Sequence, residues 1–200
     1  MIILYDEQGS EAWLKSRLGR PSASCFSKLI TTTGKASTQA DGYINQLIGE
    51  KLTGELTPMF KSDAMERGNE LEPQAKFEYE CLYGVTVDET GFILNDSSDY
   101  GCSPDGLILG ESKGLEIKCP LTQTMVKYKR NPKELVKAYY QQIQGCMWVT
   151  GYQSWDAFAY HPDTDHVCVN VERDEDFIEK LAIQVDLAVT TIKKETEKFK

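Results

Sequence analysis

The sequence is poor in the features that mark several large classes of protein. Its six cysteines, Cys25, Cys81, Cys102, Cys119, Cys146 and Cys168, include no C-x-x-C pair. That spacing favours reduced, packed thiols over a disulfide frame, a zinc site or an iron–sulfur cluster. The two histidines, His161 and His166, are too few and too loosely placed for zinc and read as structural. No apolar run approaches the roughly 18 residues of a membrane span, and the one at residues 2–5 is too short for a signal-peptide core. The expected location is therefore cytoplasmic, with no membrane partner. Basic residues are outnumbered: 22 Lys and Arg against 31 Asp and Glu leave a net charge of −9. This excludes a diffuse basic coat for nucleic acid, but not an enzyme that grips a few phosphates and holds cations among carboxylates.

What remains is an ordinary globular composition, 40% hydrophobic and 26% charged over 200 residues, which fits a single domain over residues 1–200. Ser10 caps a short predicted helix over 10–18 that carries Arg17 near its end. Ser22 stands ahead of an amphipathic stretch in which Cys25, Phe26, Leu29 and Ile30 share a face. The polar segment 31–42 reads as an exposed loop. Tyr43, Ile44, Leu47, Ile48 and Leu52 form a helical stripe ended by Gly54. A longer helix is predicted over 62–83, with Pro73 either kinking it or opening a second segment after Glu72. Strand-like runs follow at 85–89, 91–95, 100–109 and 114–119, then helices over 121–130 and 131–151, strands at 154–161 and 166–173, and a helix from Asp174. The order predicts an α/β (α+β) domain with a mixed central sheet flanked by helices.

The stretch from Cys102 to Pro120, "CSPDGLILGESKGLEIKCP", carries the chemistry. On a strand Glu116 and Lys118 point the same way, roughly 7 Å apart, while Ile117 faces the core. A hairpin through "GESKG" brings Asp105 towards Glu116. Two adjacent carboxylates repel unless a proton or cation intervenes. Magnesium suits a few carboxylate oxygens plus water and phosphate, and a metal pair can activate a water and stabilise a scissile phosphate, with Lys118 beside the developing charge. The same residues also fit a solvated hairpin of weak surface ion pairs; the short motif alone leaves both open.

More of the chain resolves this. The segments "EQGSEAWLKSRLGRPSAS", "RGNELEP", "CSPDGL", "GLEIKCP", "QQIQGCMWVT" and "VERDEDF", in this order across nearly the whole length, resemble the phage lambda exonuclease family, a branch of the PD-(D/E)-x-K nucleases. The resemblance implies a restriction-endonuclease-like core and a 5′-to-3′ exonuclease on double-stranded DNA ends. Such an enzyme releases mononucleotides and leaves 3′ tails for a phage single-strand annealing protein. It implies Asp105, Glu116 and the carbonyl of Ile117 as ligands of Mg2+, two ions per site with Mn2+ as a substitute. It further implies Glu72 for the second metal, Lys118 as the catalytic lysine and Gln142 beside the attacking water. Arg17, Ser24 and Ser103 match the pocket for a 5′ phosphate, a sensible set for phosphate oxygens. Ser22 also matches a hydroxyl position, which capping explains equally well. Gln144, on another side of the helix, reads as structural, and Trp13 and Trp148 read as core. Family members form a homotrimer ring, and Lys35, Lys61 and Arg67 are the basic residues assigned to its channel. The rival readings are a restriction-like endonuclease or junction resolvase, and a non-catalytic DNA-end adaptor.

Overall fold

A computed structural model describes residues 1–58 and 62–199. In chain order the elements are β1 (Ile2–Leu4), α1 (Glu11–Arg17), a 3-10 turn (Ala23–Lys28), α2 (Ala40–Thr53), α3 (Asp63–Tyr83), β2 (Val87–Asp88), β3 (Phe92–Leu94), β4 (Gly101–Cys102), β5 (Gly106–Ile108), β6 (Lys113–Lys118), α4 (Thr122–Arg130), α5 (Lys133–Thr150), β7 (Ser154–His161), β8 (Thr164–Glu172) and α6 (Glu175–Lys198). The main sheet has the order β2-β5-β6-β7-β8, and β1-β3-β4 form a smaller antiparallel sheet. Within the main sheet β6 and β7 run parallel and the other pairs antiparallel. A parallel pair needs a long crossover, and here α4 and α5 supply it. The mixed sheet and its helices are those expected. No helix among the described residues is long and apolar enough to cross a membrane.

Alternation along β6 divides its side chains between two cores. Leu115 and Ile117 pack with Ala75 and Tyr79 of α3 and Phe158 of β7. Glu116, between them, turns to the opposite face, where α5 and the larger core lie, and is 1% exposed. Gly114 on that face meets the ring of Trp155: a Cβ there would stand 2.3 Å from the indole. Trp155 is fully buried and has little room to yield. Gly114→Ala is therefore expected to destabilise the fold by about 1–3 kcal/mol, the usual cost of overpacking, read as a lower urea midpoint.

Several expectations need correction. The amphipathic stretch after Ser22 is a 3-10 turn of six residues, and Cys25 is only partly buried. Ser22 makes no capping bond there; its Oγ bonds Arg17 and Ser24 instead. The polar loop is shorter than expected, because α2 starts at Ala40 and a bridge joins Ile30 to Ala36. The helix expected over 62–83 is present as α3, and of the two alternatives at Pro73 a second segment is ruled out, since one element runs through it; the proline lacks the N–H that would reach the carbonyl of Asn69. The run 100–109 is not one strand. It divides into β4 and β5, which belong to different sheets, so Ser103, Pro104 and Asp105 form the crossing between them. Strand β1, only three residues long, is not among the expected strands.

Candidate active site

The crossing and β6 build one charged cluster. Gly106 of β5 pairs with Leu115, and the carboxylate of the preceding Asp105 accepts from the backbone N–H of Ile117 at 2.6 Å. Gln8 fixes the crossing, donating from Nε2 to the carbonyls of Thr90 at 3.0 Å and Pro104 at 2.9 Å. Lys118 Nζ lies 2.5 Å from Glu116 Oε1 and 3.7 Å from Asp105 Oδ2, and donates to the carbonyl of Ile117 at 2.8 Å. Gln142 of α5 donates to the same Glu116 Oε1 at 2.5 Å. Asp105, Glu116, Ile117, Lys118 and Gln142, from the crossing, β6 and α5, thus meet at one point.

Glu72, partly buried on α3, faces this cluster electrostatically. Burial, then the charge of Asp105, pushes its carboxyl up to about 7. Burial likewise pushes Glu116 up to about 8 against the pull of Lys118. Burial alone would lower the Lys118 ammonium, but the carboxylates of Glu116 and Asp105 outweigh it and hold the group above the usual lysine range. Gathered acids with raised proton affinity, next to a lysine with raised affinity, are a site short of positive charge.

The donors suit a hard divalent cation. They are carboxylate and carbonyl oxygens, the set magnesium prefers, and Glu116 Oε2 is buried without a hydrogen-bond partner. A buried carboxylate oxygen left unpaired is costly. Among the described residues no three His, Cys, Asp or Glu side chains form a ready metal cage. The Lys118 ammonium stands on the Glu116 and Ile117 oxygens.

A second group lies on the other side of the crossing. Arg17 Nη2 donates to Ser22 Oγ at 3.3 Å and to Ser24 Oγ at 3.4 Å, and the two hydroxyls are 3.2 Å apart. The guanidinium carbon sits 4.2 Å from the centroid of the Trp13 ring. Trp13 Nε1 in turn donates to Ser103 Oγ at 3.0 Å. Trp13 is therefore no core residue but the bridge between Arg17 and Ser103, and its position one helical turn before Arg17 was the available signal. Burial lowers the Arg17 guanidinium below its usual range, yet among the described residues no carboxylate lies within ion-pair distance of it. The hydrogen bond from Gly101 N–H to the Pro21 carbonyl, 3.1 Å, and the bridge between Ser22 and Gly101 tie this group to β4. Ser103 and Asp105, two residues apart, then join it to the acidic cluster.

The remaining expectations sort clearly. Gln144 is structural: its Nε2 donates to the Glu172 carbonyl and its Oε1 accepts from Asp174 N–H, each at 2.9 Å. Trp148 packs on the core and stacks on Tyr100 at 4.4 Å. His161 is buried and bonded to Thr122. Arg67 donates to the carbonyls of Cys119 and Pro120 at 3.3 Å each, just beyond Lys118. Lys35 is exposed, and Lys61 lies outside the described residues. Sequence reasoning missed Gln8 and Tyr139; the Tyr139 ring lies 5.0 Å from Lys118 Nζ.

Fold and site together define an α/β domain with a nuclease-like acid and lysine cluster. Residues 12–153 match the YqaJ-like viral recombinase domain, and the chain belongs to that family. The alkaline exonuclease LHK-Exo from Laribacter hongkongensis is 30% identical, with a TM-score of 0.82 over 95% of this chain and 96% of that one. Its structure in complex with dAMP gives 32% and 0.84 over the same shares. A phage-related exonuclease from Haemophilus somnus 129PT shares the fold, at 16% identity and a TM-score of 0.74 over 90% of this chain and 96% of that one. No curated protein matches the chain in sequence. The family and the LHK-Exo structures support a nuclease role.

Proposed function

We propose that the chain is a Mg2+-dependent 5′-to-3′ exonuclease that digests one strand of duplex DNA from its end. The convergence of Asp105, Glu116, the Ile117 carbonyl, Lys118 and Gln142 carries this reading. Asp105, Glu116 and Ile117 would hold one magnesium ion and Glu72, with Asp105, a second, and Mn2+ has the same oxygen preference. Bound there, the metal would supply a more acidic water and charge stabilisation at the scissile phosphate. The protein residues do the positioning. Gln142, anchored on Glu116, orients the water. Lys118 offers its ammonium to the charge that develops on the phosphate. The Arg17, Ser22, Ser24 and Ser103 group offers donors to a terminal 5′ phosphate, and its link through Ser103 to Asp105 sets the register between the end and the bond cut.

A relative's complex with dAMP agrees with a site shaped for a mononucleotide product. The same reading includes a homotrimer ring around the duplex, which would let an acidic chain hold DNA by enclosure. It also includes a phage single-strand annealing protein as partner for the 3′ tails, and a cytoplasmic place of action. The test is digestion of end-labelled linear duplexes with 5′-phosphate or 5′-hydroxyl ends, with and without Mg2+, beside a covalently closed circle. Mg2+-dependent loss of the 5′-labelled strand as mononucleotides, with the circle intact, is expected. Cutting of the circle would make the protein an endonuclease, and no digestion in any arm would favour a non-catalytic role.

A further inference from the structure

Helix α5 is broken at one residue. Tyr139 has φ −121° and ψ 15°, outside helical values, and irregularities inside helices recur at functional sites. The break places the Tyr139 ring 5.0 Å from Lys118 Nζ, while Gln142, one turn later, reaches Glu116. The ammonium thus has two kinds of neighbour. On one side are Glu116 Oε1 at 2.5 Å, the Ile117 carbonyl at 2.8 Å and Asp105 Oδ2 at 3.7 Å. On the other is an aromatic face.

The oxygens cannot serve the ammonium and a divalent cation together at these distances, since both would occupy the same few ångströms and repel. We infer that Tyr139 is the positioning residue for Lys118: its ring face keeps the ammonium beside the reacting phosphate once the Asp105, Glu116 and Ile117 oxygens are given to metal. This rests on the metal reading above. A ring face suits the task, because it attracts a cation without competing for metal as another carboxylate would. Lys118 in this view is the counter-ion of the metal-free site and moves aside on loading.

The test is Mn2+ binding to the purified full chain, followed by electron paramagnetic resonance, in a double-mutant cycle. Lys118→Met is expected to bind Mn2+ more tightly than wild type, because the resident cation is gone. Tyr139→Leu is expected to bind more weakly, by at most about tenfold, because the ring already meets the ammonium at 5.0 Å before loading and only the strengthening of that cation–π contact counts, and Tyr139→Phe to match wild type. In the Lys118→Met background, Tyr139→Leu should have no further effect. Equal weakening in both backgrounds would mean that Tyr139 merely shapes the helix, and would overturn the inference. So would unchanged binding in Tyr139→Leu. Should that variant not fold, Lys118→Met decides alone: binding no tighter than wild type overturns the displacement. A wild-type chain that binds no Mn2+ sinks the metal reading itself, which separates the two failures.

Discussion

Glu116→Gln is expected to reduce cleavage of linear duplex DNA at least about 10³-fold, the scale seen when a group that organises transition-state charge is lost. The substitution keeps the size of the side chain and the contact with Gln142 but removes the charge. Glu116 is the hub of the cluster: Oε1 receives both Lys118 and Gln142, and Oε2 is buried and unpaired. Loss of its charge removes a ligand of the proposed metal and the ion pair that holds Lys118 beside it. Because the group sits in the core, a damaged fold is the competing explanation. Circular dichroism and a urea titration address it, and the expected result is a native spectrum with no activity. Lys118→Ala should fail in the same way, losing the ammonium that neutralises the phosphate. Appreciable digestion by either folded variant would remove these residues from the chemistry.

The cluster was legible because its parts obey local rules. Period-2 alternation put Glu116 and Lys118 on one face, and the turn between β5 and β6 brought Asp105 across, as its bond to Ile117 N–H shows. Burial was not legible from that pattern. Glu116 lies on the α5 side of the sheet at 1% exposure, and only the crossover from β6 to β7 covers it. The run containing Asp105 looks like one strand in sequence, since alternation and β-propensity continue through it; its division between two sheets comes from long-range pairing, β4 with β3 and β5 with β2 and β6. Arg17 and Ser24 are singled out by the resemblance alone, whereas the contacts of Trp13 show only in the fold, because an indole at a helical position fits a core equally well. Tyr139 left no sequence signal, since a break in φ and ψ at one helical residue has no composition to mark it. The Ser22 stretch failed for a related reason: six residues with helical spacing fit a 3-10 turn as well as an α-helix.

Arg17→Ala is expected to lower the preference for 5′-phosphorylated over 5′-hydroxyl ends by about 10- to 100-fold, the equivalent of about 1.5–3 kcal/mol for hydrogen bonds to a charged group. Arg17 is partly buried, braced on Trp13 at 4.2 Å and in reach of two serine hydroxyls, yet has no carboxylate within ion-pair distance among the described residues. A desolvated guanidinium without a counter-ion calls for an anion, and a phosphate presents the oxygens its planar fork matches. Arg17→Lys retains the charge but not the fork, so it should recover only part of the preference. The effect should appear in the ratio between the two ends, because the acidic cluster stays intact and both substrates still reach it. Equal losses on phosphorylated and hydroxyl ends would instead place Arg17 in holding α1 against the Ser22 turn, and the proposed 5′ polarity would then need another anchor.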